Sequence, residues 1–383
     1  MVLKGGKGRG AFHSNRKTQG SGGTSAPANT RNWTAANFPK VAAGLARVRA
    51  GTGRMRIACS PGDSTTSGIN ATRLTSGPAA MAAQLATSWG VPVSTNSIIG
   101  AGASGTTAAA VTAHDSRITS TGSPIASSAN YGGNTLRLAA ATQSWILAFA
   151  QCDTIELYWD TGPGNGTFTL YLDGVSQGVQ NCTGGSYVVN KTTLSGLADT
   201  THTITFEWAS GTTFMIGGIG YRSSVKAVDV INGGWPSSTT VNWNTSTGIS
   251  PRDGWLKIGA DLSIIATGIN DENASADPAT TFITNETALV TYGQGTVSSD
   301  VMLLVPNWWT GGASVATQQA YEAAILAISD SKAAPCYDFR TLYPSWQALQ
   351  DAGGMGGNTI HPNATGYSLL WTPMAQALAA VVP

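Results

Sequence analysis

The chain has 383 residues, a length that suits two or three structural units, and only 11% of them are charged, with a formal net charge of +1. This low, balanced charge argues against a polyanion-binding surface, and no apolar run approaches the roughly 18 residues of a membrane span. We therefore predict neither a nucleic-acid nor a membrane partner. Abundant Gly, Ser, Thr, Ala and Asn, together with 12 Trp, favour a turn-rich fold and are common in extracellular or virion-associated proteins.

The N-terminal segment, residues 1–31, is predicted to be a flexible tail. It is rich in Gly, Ser, Asn and Thr, shows no apolar period, and lacks the apolar segment of a signal peptide. The pattern of a globular domain begins at residue 32. Apolar side chains at helical spacing between Phe38 and Val48 are followed by a strand that ends at Cys59 and a helix from Pro78 to Trp89.

Residues 96–125 are small and turn-rich, and the pattern after them changes to a period of two. Between Leu136 and Ile216, apolar residues alternate with polar or small ones in short runs separated by glycine-rich breaks. About seven or eight short strands at this spacing predict an antiparallel β-sandwich, or jelly roll, over residues 128–222.

The chain contains four cysteines, and their spacing matches no zinc-ligand pattern. Cys152 and Cys182 fall in the β-rich region, where they could form a disulfide. The alternative is that they remain buried free thiols. The sequence gives no sign of a metal site or a cofactor, and we predict neither.

After Tyr221, short apolar runs again alternate with helical patterns. The predicted elements are strands at 225–231, 262–266, 301–305 and 337–338, helices at 280–292, 315–329 and 366–381, and a polar helical stretch between the first two strands. Strands alternating with helices predict a parallel sheet covered by helices on both faces. The β-sandwich would then be an insertion dividing one α/β domain into residues 32–127 and 223–383.

Polar residues follow two of the buried strands and precede the last helix. The first strand continues into GDSTTSG at 62–68, which places Ser64 at the carboxyl edge of the sheet. The strand at 262–266 continues into TGIND at 267–271, and the last loop carries HPNATGY at 361–367.

These three motifs together resemble the SGNH, or GDSL-type, ester hydrolase family, over about residues 50–110 and 225–383. The resemblance implies a three-layer α/β/α, flavodoxin-like fold with a parallel sheet. It also implies a serine esterase in which Ser64 attacks the ester carbonyl and His361 is the general base. The Asn270 side chain and two backbone amides would hold the oxyanion.

The placement of the four histidines agrees with His361 as the base. His13 lies in the tail, His114 in an irregular stretch and His202 in the predicted sandwich. The family usually has an aspartate three residues before this histidine, and here that position is Asn358.

An amide stabilises an imidazolium less well than a carboxylate does. One interpretation is a Ser–His dyad, with Asn358 or a backbone carbonyl orienting the ring. Another is that Asp351 or Asp338 reaches the ring. A third is a weak or inactive enzyme.

Two turns are candidates for the second backbone donor of the oxyanion site. The segment 102–107, with Gly105, matches the family pattern, whereas 232–240 has Ser237 where the family has glycine. We favour the later turn because it follows a clearer strand. Trp308 and Trp309 follow another strand end and either border a pocket for acyl group or sugar, or belong to the core.

The sequence therefore predicts a serine esterase that removes small acyl groups from a polysaccharide, with acetyl as the favoured acyl group. The alternative is a non-catalytic glycan- or receptor-binding protein on a degenerate hydrolase scaffold, and a lipase-type hydrolase is a third reading. The sandwich loosely resembles galactose-binding-like carbohydrate modules and could bind glycan, shape the site or mediate homo-oligomer contacts. The combination resembles esterases carried on bacteriophage tail fibres.

Overall fold

In the computed structural model, two β-sheets run through the residues that the structure describes, which are 27–95, 98–100, 102, 105–245, 251–279 and 281–383. The side chains of 127–130 are not described either. The predicted tail lies outside the described residues except for 27–31.

The strands of the described residues include both two-residue edge strands and very long ones. In chain order they are β1 (Thr30–Arg31), β2 (Met55–Cys59), β3 (Val93–Ser94), β4 (Ile118–Thr121), β5 (Ile125–Asn130), β6 (Gly133–Leu138), β7 (Ser144–Thr161), β8 (Thr167–Leu172), β9 (Val175–Asn181), β10 (Val188–Ser210), β11 (Thr213–Tyr221), β12 (Val228–Asn232), β13 (Leu262–Ile265), β14 (Asp300–Val305) and β15 (Cys336–Asp338).

The α-helices of the same part of the chain fall mainly before β3 and after β12. They are α1 (Pro39–Arg49), α2 (Ser64–Ser67), α3 (Gly77–Trp89), α4 (Ala108–His114), α5 (Thr240–Asn244), α6 (Pro251–Ile258), α7 (Ile269–Ala274), α8 (Phe282–Tyr292), α9 (Val315–Lys332), α10 (Phe339–Leu342), α11 (Trp346–Asp351) and α12 (Ala364–Val381). Thr280, where we expected α8 to begin, lies outside the described residues. Helix α4 was not predicted, because its small residues resemble a turn-rich loop.

The first sheet has the strand order β1-β15-β14-β13-β2-β12-β3, and β1 alone runs antiparallel to its neighbour. This confirms the predicted parallel sheet. Without the two-residue edge strands, the order is 2-1-3-4-5 in chain numbering, which is the flavodoxin-like order. Its switch point lies between β2 and β13, and ligands bind beyond the carboxyl ends of strands at such a point.

Helices cover both faces of the parallel sheet because successive strand residues point to opposite sides. One face packs on α1, α3 and α12 through a first set of buried side chains, and the other packs on α5, α6, α8 and α9 through a second set. The first set includes Ile57, Val230, Ile264 and Met302. The second includes Ala58, Ile231, Ile265 and Leu303.

The second sheet is antiparallel, as predicted, with the order β5-β6-β11-β7-β10-β8-β9 and with β4 on β7. We expected short strands, but the two central strands are long: β7 has 18 residues and β10 has 23. The short runs read from sequence are continuous because the polar residues between them keep pairing, apart from irregular register between Ser195 and His202. The division into two packed sheets and the domain boundaries remain predictions.

The four cysteines are buried and free, so Cys152 and Cys182 do not form a disulfide. Burial raises the pKa of the Cys152 thiol to about 11 and that of Cys182 to about 12, which keeps both protonated at neutral pH.

Among the described helices, none combines the length and apolar character that crossing a bilayer requires.

Candidate functional site

Ser64 lies beyond the carboxyl end of β2, at the first residue of the short helix α2. Asp63 caps this helix, because its Oδ1 accepts a hydrogen bond from the Thr65 N–H at 2.8 Å. Gly68 ends the helix with a φ of 95°, a left-handed conformation that favours glycine. Ser64 is thereby fixed at the sheet edge with 7% of its surface exposed.

His361 lies on the loop before α12, with its Nε2 atom 2.8 Å from Ser64 Oγ. Two contacts hold its backbone. The His361 N–H donates to Asn358 Oδ1 at 2.7 Å, and Asn70 Nδ2 donates to the His361 carbonyl at 3.0 Å. The structure thus joins the hydroxyl and the imidazole that the sequence analysis placed together.

Among the residues that the structure describes, no carboxylate hydrogen-bonds to the other side of the imidazole. Within the described residues, no group hydrogen-bonds to His361 Nδ1, and burial lowers the pKa of His361 to about 4. Asn358 bonds to the backbone of the loop and not to the imidazole ring, since its Oδ1 accepts from the N–H groups of Ile360 and His361.

The two aspartates considered from sequence bind elsewhere. Asp338 caps α10 through the Arg340 N–H, at 2.7 Å, and Asp351 accepts from Gln347 Nε2 at 2.6 Å. The interpretation in which one of them orients the ring is therefore wrong. A neutral imidazole with a hydroxyl on Nε2 can accept the hydroxyl proton directly.

Asn270 is held against the turn that contains Ser237. One N–H of its Nδ2 donates to the Ser238 carbonyl at 2.9 Å, and an amide nitrogen carries two N–H groups, so the second is left for another acceptor. The turn also lies on the nucleophile loop, since the Trp235 N–H donates to the Gly62 carbonyl at 2.9 Å. The side chain of Ser237 is exposed, and its φ is 63°.

Among the described residues, the alternative turn makes one hydrogen bond to the nucleophile segment. Ser67 Oγ donates to the Gly102 carbonyl at 2.5 Å, whereas Gly105 lies farther along, just before α4, next to Ala110. Residues 103 and 104 lie outside the described part of the chain. The described contacts therefore favour the turn with Ser237 as the neighbour of Ser64.

Trp308 and Trp309 follow β14 and differ in their surroundings. Trp309 is 3% exposed, and its Nε1 donates to Glu272 Oε2 at 2.6 Å. Trp308 is half-buried, with the Arg340 guanidinium 4.7 Å from its ring centroid. Both border a pocket of about 440 Å³, so Trp309 is anchored in the core and Trp308 is the more accessible of the two.

Buried acids behind the Asn270 loop were not predicted. Glu286 Oε2 accepts from Thr267 Oγ1 at 2.8 Å, and Asp271 Oδ1 accepts from Thr240 Oγ1 at 2.7 Å. Burial raises the pKa of Glu286 to about 8 and that of Asp271 to about 6. The sequence did carry a signal for Glu286, which lies four residues after Phe282 on the apolar face of α8.

Arg73 is a further buried group that was not predicted, and it had no sequence signal. It has no exposed surface; its Nη1 donates to the Gly132 carbonyl at 3.0 Å and its Nη2 to the Asn232 carbonyl at 2.6 Å. Gly132 lies in the β5–β6 turn of the antiparallel sheet, and Asn232 begins the turn that contains Ser237. Arg73 therefore links the two sheets at the candidate site.

Comparison with known proteins gives structural matches only. No family model matches the chain, and no curated protein matches it in sequence. Among solved structures, a peptidoglycan O-acetylesterase has a TM-score of 0.66 and 14% identity, covering 92% of this chain and 99% of its own. At this identity the likeness shows the fold alone, which is that of an esterase structure.

Two carbohydrate esterases match more weakly. A family two carbohydrate esterase from Clostridium thermocellum has a TM-score of 0.32 and 13% identity, covering 63% of this chain and 92% of its own. An acetylxylan esterase from Geobacillus stearothermophilus has a TM-score of 0.31 and 15% identity, covering 40% of this chain and 73% of its own.

Proposed function

We propose that this protein is a serine esterase of the SGNH type that removes acetyl groups from a carbohydrate. The observation that carries the proposal is the 2.8 Å hydrogen bond between His361 Nε2 and Ser64 Oγ, at the switch point of a flavodoxin-ordered sheet. The esterase fold of the peptidoglycan O-acetylesterase match supports the same reaction class. The 7% exposure of Ser64 favours a small acyl group.

In the proposed mechanism, Ser64 Oγ attacks the acyl carbon while His361 Nε2 takes the hydroxyl proton. The oxyanion is held by the Ser64 N–H, a backbone N–H of the Ser237 turn and the second N–H of Asn270 Nδ2. His361 then protonates the departing sugar oxygen, and later takes a proton from the water that hydrolyses the acyl-enzyme.

The pair works as a dyad in this proposal. No carboxylate in the described part of the chain bonds to the ring, so neighbouring dipoles and the bound oxyanion stabilise the imidazolium. Asn358 acts as a positioning residue, because its side chain fixes the backbone of the His361 loop. The jelly-roll nature of the antiparallel sheet and a bacteriophage-tail setting are further proposals that rest on the sequence resemblance.

Replacing the nucleophile tests the proposal. Ser64→Ala should lower kcat for p-nitrophenyl acetate by at least about 10³ and abolish labelling by a fluorophosphonate. Ser368→Ala, at an exposed serine on α12, is the matched control and should label and turn over like the parent. A folded Ser64→Ala protein with parental turnover would overturn the esterase proposal.

A non-catalytic glycan-binding protein is the second candidate. It is favoured by the observation that no group of the described residues hydrogen-bonds to His361 Nδ1. It predicts no fluorophosphonate labelling of the parent protein. It also predicts glycan binding that is unchanged in Ser64→Ala.

A further inference from the structure

A pocket of about 440 Å³ lies beside the His361 loop. Three indoles, Trp308, Trp309 and Trp346, border it, together with neutral polar side chains such as Gln319 and Gln347. Its volume lies within the range of about 300–1,000 Å³ that is typical of small-ligand clefts. No lining residue carries a formal charge, so the walls present aromatic, aliphatic, amide and hydroxyl groups.

The pocket and the loop that carries His361 share hydrogen bonds. Trp346 Nε1 donates to the Asn358 carbonyl at 3.0 Å, and the Thr310 N–H donates to the Thr359 carbonyl at 2.9 Å. Two residues of extended chain span at most about 7 Å, so the Cα atoms of Thr359 and His361 are no farther apart than that. A ligand in this pocket therefore lies against the loop that carries His361, the hydrogen-bond partner of Ser64.

Buried charges make the aromatic wall rigid and electrically neutral. The Arg340 guanidinium lies 4.7 Å from the Trp308 ring centroid and pairs with Glu272 at 2.6 Å, with both side chains buried. Glu272 also accepts from Trp309 Nε1, so the pair fixes both tryptophans. Because the charge of Arg340 is matched by Glu272, the pocket offers no free cation to an anionic ligand.

We infer that this pocket is a subsite for an uncharged sugar ring of the glycan, next to the ring that carries the ester. The inference rests on the proposed esterase function and narrows its substrate class. A rigid indole face suits the C–H face of a pyranose, and the amides and hydroxyls suit its hydroxyl groups. A ring bearing carboxylate, phosphate or sulfate finds no counter-charge here and is disfavoured.

Filling the pocket from its exposed rim tests the inference. Val315→Trp, at a residue 61% exposed, should lower kcat/KM for an acetylated xylo-oligosaccharide by about tenfold and change that for p-nitrophenyl acetate less than twofold. Gln319→Trp is a second filling variant with the same expectation. Val175→Trp on β9, at a residue 65% exposed, is the matched control and should leave both substrates unchanged.

Equilibrium binding separates this inference from the esterase proposal. Calorimetry on Ser64→Ala should show binding of the neutral xylo-oligosaccharide that weakens about tenfold in Ser64→Ala/Val315→Trp. Tighter binding of a carboxylated oligosaccharide, unchanged glycan kinetics in both filling variants, or an equal loss on both substrates would overturn the subsite and leave the esterase proposal standing. Parental turnover in Ser64→Ala would overturn the esterase proposal instead.

Discussion

The two sheets of this protein place their polar residues differently. In the parallel sheet, every strand from β2 to β15 ends on the same side, so the segments after β2 and β13 meet and bring Ser64 and Asn270 to one edge. In the antiparallel sheet, neighbouring strands end on opposite sides, and polar groups such as His202 pair locally along the sheet. The candidate site therefore lies at the sheet edge where the carboxyl ends of the parallel strands come together.

The antiparallel sheet nevertheless supports that site. The Gly132 N–H, in the β5–β6 turn, donates to the Gly233 carbonyl at 3.3 Å, and Arg73 bonds both Gly132 and Asn232. A Cβ atom on Gly234 would lie 2.3 Å from the Ser67 nitrogen, so the turn that contains Ser237 packs directly on α2. The parallel-sheet region is thus proposed to carry the catalytic groups, and the antiparallel sheet is proposed to hold them in place.

The largest effect expected in the comparison comes from removing one amide in each region. Asn270→Ala should lower kcat by about 10²–10³, because it removes a proposed oxyanion donor. Asn190→Ala removes a comparable amide on β10, where Nδ2 donates to Thr161 Oγ1 at 3.0 Å, and should leave kcat within twofold. Steady-state kinetics on p-nitrophenyl acetate measure both variants. An equal loss of kcat in Asn270→Ala and Asn190→Ala would contradict the proposed difference between the two regions.

The parts of the fold predicted from sequence are those with a strong local period. The alternation of strand and helix gave the parallel sheet, and the period of two gave the antiparallel one. Helix α4 and the length of β10 were missed, because small residues carry no clear period and a long strand resembles several short ones. The sequence could not show how Arg73 is used, since its partners are backbone carbonyls remote in the chain.

The candidate site was predictable to the extent that motifs mark strand ends. Residues 62–68 and Asn270 follow strands, and the structure puts them side by side. What orients His361 was not predictable, because Asp338 and Asp351 are each within reach of the loop in sequence yet bond to other groups. Such a choice depends on side-chain geometry that no spacing encodes.

Arg73 tests how strongly the supporting region acts on the site. Arg73→Met leaves the carbonyls of Gly132 and Asn232 without their donors, and we expect kcat to fall about tenfold with KM nearly unchanged, as the turn loosens. Arg73→Lys should recover part of the loss. Arg222→Met, which breaks an ion pair with Asp199 on the surface of the antiparallel region, is the control and should act within twofold.

A kcat of Arg73→Met equal to that of the parent would show that the antiparallel sheet does not support the site through this residue. Thermal denaturation of each variant separates loss of the fold from loss of turnover. A simple loss of folded protein would lower kcat per total protein for Met and Lys alike, without the recovery expected for lysine.

The pH dependence of turnover compares the two regions through their histidines. Burial lowers the pKa of His361 to about 4, whereas for His202 the bond to Asp173 overcomes burial and raises the pKa. A neutral His361 is the proposed base, so kcat/KM should hold as pH falls and drop only near pH 4. Asn358→Asp places a negative charge near the ring and should move that acid limb up by about one unit.

The matched change in the other region is Asp173→Asn. It removes the charge beside His202, 2.7 Å from Nδ1, and should leave the acid limb of kcat/KM where it is. The linked stability has the opposite sense in the two regions. The raised pKa of His202 stabilises the fold at low pH, and this stabilisation is lost as pH rises through that pKa. The lowered pKa of His361 makes the stability of the fold decrease as pH drops below about 6.5.

The smallest effect concerns two residues at positive φ, one in each region. Ser237 has a φ of 63° and Asp173 a φ of 50°, which is a costly conformation for a side chain that gains nothing from it. Asp173 is compensated by hydrogen bonds to His202 and to the Thr203 N–H. The exposed hydroxyl of Ser237 makes no hydrogen bond to the described residues.

Glycine should therefore act with opposite signs at the two positions. Ser237→Gly should raise the free energy of unfolding by about 0.5–1 kcal/mol, since relief of strain exceeds the added freedom of the unfolded chain. Asp173→Gly should lower it by about 1–2 kcal/mol, because two hydrogen bonds are lost. Urea denaturation measures both. If Ser237→Gly destabilises the protein, contacts of the serine side chain stabilise the turn by more than the positive φ costs, and the strain argument is wrong.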